Sequence, residues 1–199
     1  MKNFKFKLGD FIAIKHGFAF KGDKISAEDN GIVLVTPGNF AIGGGFQESK
    51  CKFFTGEYPK EYVLNEKDLI VTMTDLSKNC DTLGYSALVP NGNRIYLHNQ
   101  RIGLIEIKNP SLDKDYLYWF MRTPKYQHHI ASSCSGSVIK HTSPNTICDV
   151  PIILPPLEVQ KQIASILSSL DAKIELNNAI NNNLKSPNCT ASTTEKEAA

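Results

Sequence analysis

The sequence has no CxxC pair, opens without an apolar run and holds no hydrophobic run of bilayer length. Its cysteines, Cys51, Cys80, Cys134, Cys148 and Cys189, are odd in number and scattered, which supports neither a zinc ribbon nor a disulfide framework. They read as reduced thiols, and the expected location is cytoplasmic. The opening MKNFKFKLGDF holds no apolar segment of the kind a secretion signal needs. No stretch reaches the roughly 20 apolar residues of a spanning helix, so no membrane role is expected. Charge of one sign is scarce too: the formal net charge is +2, which alone names no partner.

Signatures of catalysis are also missing. There is no P-loop, no GxGxxG behind a strand and no Asn-Pro-Pro-Tyr-like methyltransferase tetrapeptide. AIGGGF is rich in glycine but lacks the Lys-Ser/Thr that completes a phosphate loop, and reads as a turn. Cys134 and His141 can be cast as nucleophile and base, yet no orienting third group accompanies them. His128 and His129 are adjacent and cannot share a helix face, so no metal site is expected. The reading is of a non-catalytic chain.

What is present is a soluble composition, 41% hydrophobic and 21% charged over 199 residues, with room for one domain and an appendage. The expected fold class is α+β: a strand-rich mixed domain over 1–154, one long helix over 155–185 and a disordered tail over 186–199. Strands are expected in GIVLVTPGN, KDLIVTMTD, GYSALVPNGN, RIYLHNQ and RIGLIEIKNP, where β-branched runs are bounded by Gly, Pro, Asn and Asp. VPNGNRIYL predicts a hairpin on Asn91-Gly92, a dipeptide that tolerates two positive φ angles. SLDKDYLYWFMRTP and PKYQHHIASS predict two helices. HTSPNTI predicts a short third, with Ser143 as N-cap and Pro144 at its first position. VPIILPP should be extended, because residues before proline avoid the helical region. Trp119 and Phe120 are expected in the core beneath a helix.

From Leu157 to Lys185 there is neither Pro nor Gly, which predicts a helix of about 43 Å. With Ile163 at heptad position d, Leu167, Leu170, Ile174, Asn177, Asn181 and Leu184 follow on the a/d seam. Packing on the parent domain explains Ile163 to Ile174. The asparagines fit better in a seam between two helices, where a buried amide penalises wrong registers. The expected partner is a long helix from a second copy or another subunit.

VPIILPPLEVQKQIASILSSLDAKIELNNAINNNL resembles the conserved spacer of specificity subunits of type I restriction–modification systems. Upstream, IKHGFAFKGD, LNEKDLIVTMTD (with Lys67 where glycine is common), YLHNQRIGLIEI and SGSVIKHTSPN resemble segments of the same family's target recognition domain, in the same order. The match covers about residues 6–185. The resemblance implies a recognition domain that reads one half of a bipartite duplex DNA site and a spacer that sets the distance between halves. Family members commonly carry two of each; this sequence carries one of each, which implies a half-length form that self-pairs as a homodimer. An assembly-only truncated subunit without DNA specificity is the alternative. Catalysis is then expected in partners, a methyltransferase subunit using S-adenosylmethionine and a nuclease-translocase subunit using ATP and Mg, with no cofactor on this chain.

Three loops offer the side chains that duplex readout uses: amides or Arg for base edges, and Lys, Ser or backbone N–H for phosphates. IKHGFAFKG supplies Lys15, His16 and Lys21. MTDLSKNCD supplies Thr74, Ser77, Lys78 and Asn79. SCSGSVIKHTS supplies Ser135, Gly136, Ser137, Lys140 and His141. Each loop also reads as a solvated turn with local Asx and Ser hydrogen bonds. Asn99, Gln100 and Arg101 are expected to serve the fold, through buried amide hydrogen bonds.

Overall fold

The computed structural model describes residues 6–75, 77, 80–136 and 139–185. The strands are, in chain order, β1 (Phe6–Lys7), β2 (Ile12–His16), β3 (Ile25–Ser26), β4 (Ile32–Val35), β5 (Lys52–Phe54), β6 (Val63–Leu64), β7 (Leu69–Thr72), β8 (Thr74–Asp75), β9 (Ser86–Leu88), β10 (Ile95–His98), β11 (Ile102–Ile107), β12 (Lys140–His141) and β13 (Pro151–Ile152). The helices are α1 (Lys114–Phe120), α2 (Pro124–Ser133), α3 (Pro144–Cys148) and α4 (Leu157–Lys185). The fold is α+β, with the long C-terminal helix at the expected place.

Two sheets stack. A five-stranded sheet runs β3-β5-β4-β10-β6 and a four-stranded one runs β2-β11-β7-β9. All four residues of β7 are buried, as expected for a strand covered on both faces. Leu69 and Val71 face α1 to α3, where Leu117, Met121, Tyr126, Ile130 and Ile147 complete one core. Ile70 faces the other way and meets Val33, Val35, Phe40, Ala87 and Ile102 between the sheets. The two-residue alternation of a strand thus divides one apolar run between two cores.

The helix starts follow their caps. Asp113 accepts from Tyr116 N at 2.8 Å, Thr123 from Tyr126 N at 3.3 Å and Ser143 from Thr146 N at 3.1 Å. The hairpin expected at Asn91-Gly92 does not form. β9 pairs with β7 in one sheet, whereas β10 lies parallel to β4 and antiparallel to β6 in the other. The turn is instead a crossover, and Gly92 N donates to Glu66 Oε1. β13 pairs with β1, tying the segment just before α4 to residues 6 and 7.

α4 meets the globular head through an unexpected face. Gln160 is fully buried and Ala164 nearly so. Gln160 Oε1 accepts from Asp113 N at 2.9 Å, and its Nε2 donates to Ser111 O at 2.9 Å and Pro155 O at 2.8 Å. Farther along, Trp119 Nε1 donates to Ser168 Oγ at 3.0 Å and Arg122 pairs with Asp171. This stripe is small and polar. Trp119 and Phe120, expected in the core beneath a helix, lie instead on α1, half-buried and packed against the core's edge.

Candidate nucleic-acid interface

β2 and β7 both lie antiparallel to β11, so their C-terminal ends emerge at the same end of the four-stranded sheet. His16, the last residue of β2, pairs in register with Gly103, one residue from the Ile102↔Thr72 pair. The chain leaving β7 enters β8, which pairs with β12: Lys140↔Asp75 and His141↔Thr74. Two of the three polar loops are therefore stitched together beside the third.

The stitching is detailed. Thr142 N donates to Met73 O at 3.0 Å, and Met73 N donates to Arg101 O at 3.0 Å. Thr74 Oγ1 and His141 Nδ1 are 3.2 Å apart. Ser135 and His141 exchange backbone hydrogen bonds of 3.0 and 2.9 Å, closing the loop before β12 on itself. Gly136 has φ +99°, and a Cβ there would lie 2.0 Å from Ile139 O. Only glycine fits that corner.

Asp75 organises the loop after β8 from within. Its Oδ1 accepts from Ser77 N at 2.7 Å, and its Oδ2 accepts from Thr82 N at 2.6 Å and Leu83 N at 3.1 Å. Burial alone would push this carboxyl up, but the backbone N–H groups of Ser77 and Thr82 outweigh it and hold the pKa below the usual value. Ser77 Oγ accepts from Asp81 N at 2.9 Å, so that hydroxyl has the local turn role. Cys80 and Cys134 join the two loops from behind with sulfurs 3.5 Å apart. Burial, then the Cys134 thiol, raise Cys80 well above an ordinary thiol. Cys134 faces a thiol and His141 faces Thr74, so the two do not form a nucleophile–base pair.

Of the residues singled out from the sequence, Lys15, His16, Thr74, Ser77, Ser135, Gly136, Lys140 and His141 lie at this end of the sheet; Lys78, Asn79 and Ser137 lie outside the described residues. Lys15, His16, Ser135 and His141 are exposed, Lys140 is half-buried and Thr74 is buried. Lys15 Nζ meets Glu106 at 2.6 Å, a solvent-facing pair that water weakens. Lys21 lies on a neighbouring cavity of about 560 Å³, with Phe18, Phe20, Lys24, Phe54 and Tyr58. Asn99, Gln100 and Arg101 differ from expectation. Asn99 Oδ1 accepts from Arg101 N at 3.0 Å, closing an Asx turn, while Gln100 and Arg101 are exposed among the loops. No amide there is buried, because the turn sits on the sheet's rim. The Asn-x-Arg spacing of an Asx turn was the available signal.

On α4 the seam residues divide. Ile163 and Leu167 are half-buried, but Leu170 and Ile174 are 51% and 57% exposed and Leu184 is 78% exposed. Asn177 and Asn181 are exposed, as is every residue from Ala172 to Leu184.

The sequence profile of the family described as the type I restriction modification DNA specificity domain matches residues 1–186. The chain belongs to this family. It is 28% identical over 162 residues to the EcoBI specificity subunit of Escherichia coli, covering 81% of this chain and 31% of that protein. It is 28% identical to the MjaVIII specificity subunit of Methanocaldococcus jannaschii, covering 85% of this chain and 40% of the relative. A crystal structure of a type I S subunit from M. genitalium superposes with a TM-score of 0.61 at 16% identity, over 86% of this chain and 40% of that one. The chain thus spans a third to two fifths of the relatives it matches. Both of these curated relatives are named as specificity subunits. Among the described residues, no helix is long and apolar enough to cross a membrane.

Proposed function

We propose that this chain reads one half of an interrupted duplex DNA site, and that α4 pairs antiparallel with its counterpart in a second copy to set the distance between two reading heads. The observation that carries the reading is the β8–β12 ladder. It joins residues 74–75 to residues 140–141 at the sheet end where Lys15 and His16 also emerge. A rim built this way presents exposed Lys, His, Arg and amide groups from separate loops on a rigid support.

The division of the chain follows: residues 1–154 supply the head and 155–185 the spacer, while the disordered tail expected over 186–199 lies outside the described residues. The exposed Leu170, Ile174, Ile180 and Leu184 supply the adhesive part of a helix pair, and Asn177 and Asn181 fix its register. A two-fold pair of this kind gives a symmetric target with unread bases between its halves. S-adenosylmethionine, ATP and Mg are then bound by companion methyltransferase and nuclease-translocase subunits, which this chain positions in the cytoplasm.

The test is selection from a randomised duplex pool, followed by binding of the enriched duplex against random competitor. The expected result is an inverted, interrupted repeat whose affinity falls steeply with salt. Enrichment of no sequence, together with tight binding to a methyltransferase subunit, would instead establish an assembly-only role.

A further inference from the structure

We infer that Arg122 is the positioning residue that fixes the direction in which α4 leaves the head and, given the function proposed above, the spacing accepted between half-sites. Gln160 and the buried Ala164 anchor the base of α4, and a helix held only near one end can pivot. Direction needs further ties, and these are Ser168 and Asp171, two to three turns on. Both are held by the segment that ends α1. Trp119 reaches Ser168, and the Arg122 guanidinium reaches Asp171 at 3.4 Å.

Arg122 is itself held by two aromatic rings and a loop carbonyl. Its guanidinium carbon lies 4.4 Å from the centre of the Trp119 ring and 4.9 Å from that of Tyr118. Its Nε donates to Gly43 O at 2.7 Å. Gly44, at φ +90°, lets the AIGGGF loop close over it, since a Cβ there would lie 2.6 Å from Arg122 Cγ. The side chain is 16% exposed, against 32% for Asp171. The glycine-rich loop therefore serves to hold an arginine. A lysine has neither the planar fork nor the stacking surface to replace it.

Leverage makes this confinement matter. A cavity of about 620 Å³ lies between the loop, Trp119 and the α4 residues Ser168, Asp171 and Glu175, so the helix has room to tilt once the clamp is released. From Gln160 to Leu184 the helix is about 36 Å long, and a tilt of about 5° carries its tip about 3 Å, roughly the rise of one base pair.

Two measurements test the inference. In the randomised-duplex selection, the wild-type chain should enrich one dominant spacing. Arg122→Ala should spread enrichment over neighbouring spacings, with the preference for the dominant one falling about tenfold, between the scales of an exposed and a fully desolvated cation–π contact. Arg122→Lys should behave like Arg122→Ala, and Ser168→Ala should shift in the same direction more mildly; these two keep the test open if Arg122→Ala fails to fold. The second measurement is the distance distribution between spin labels at the exposed positions Lys52 and Asn182, with labelled chain diluted in unlabelled chain. It should broaden in the Arg122 variants. Variants with the wild-type spacing and the wild-type distance width would overturn the inference. A wild-type chain that enriches no paired motif would sink the proposed function alone, leaving the label distances to judge the clamp.

Discussion

The Oγ1 of Thr74 lies 3.2 Å from Nδ1 of His141, although 67 positions separate them in the chain. That contact seals the short ladder on which the reading surface rests. Replacing Lys140 and His141 together with Ala should weaken binding to the selected duplex about tenfold and lower the salt slope by about one for each phosphate no longer neutralised. Titration at two salt concentrations reads both effects. Unchanged affinity would remove this loop from the interface.

Gly136 occupies a corner that no side chain can enter. Gly136→Ala forces Ile139 to move or the backbone to leave its left-handed conformation, at about 1–3 kcal/mol. The thermal midpoint should drop by a few degrees while DNA affinity falls far more, because the distortion is local to the rim. Equal loss of both would mean that the loop supports the fold only.

Asp75 gives the head an acid sensitivity. Its carboxyl titrates below the usual range because backbone N–H groups stabilise the anion against its burial. Its contribution is fully present above the unfolded pKa, near 4, and is lost as pH falls through the lower folded value. Asp75→Asn should cost about 1–3 kcal/mol at neutral pH. The gap to wild type should narrow below about pH 4 in denaturant titrations; a gap independent of pH would show that the charge contributes nothing.

Gln160 satisfies one backbone N–H and two carbonyls from a fully buried position. Gln160→Ala should cost about 2–4 kcal/mol, since it leaves buried groups without partners. For a chain of this size that is roughly 5–15 °C in melting temperature, readable by calorimetry.

The asparagines of α4 should act in the opposite sense. Asn177→Leu with Asn181→Leu extends the exposed apolar stripe and should tighten self-association while loosening its stoichiometry. Light scattering across a concentration series checks this. A monomer at every concentration, in both wild type and variant, would rule out helix pairing.

Local chemistry made the helices readable. Ser143-Pro144 marks a start, and the run without Pro or Gly from Leu157 marks a long helix. The strands were readable too, but not their partners. Asn91-Gly92 looks like a hairpin turn, yet Leu88 pairs with Leu69 and Ile95 lies beside Ile32, because burial between two sheets outweighs the turn. The clamp was the least visible feature. A search for apolar periodicity passes over Gln160, Ala164, Ser168 and Asp171, the side of α4 that faces the head. It finds instead a stripe whose first members, Ile163 and Leu167, are half-buried and whose later ones, from Leu170 on, face water. The convergence of the polar loops depends on β8 meeting β12, a two-residue ladder too short to leave a pattern.

Among the described residues, no hydrogen bond or ion pair joins the head to α4 beyond Asp171. Whole turns added to or removed from the outer half would displace the tip by about 5 Å each without touching any tie within the globule. Rod length and head stability can therefore change independently, and mutation can retune one without endangering the other.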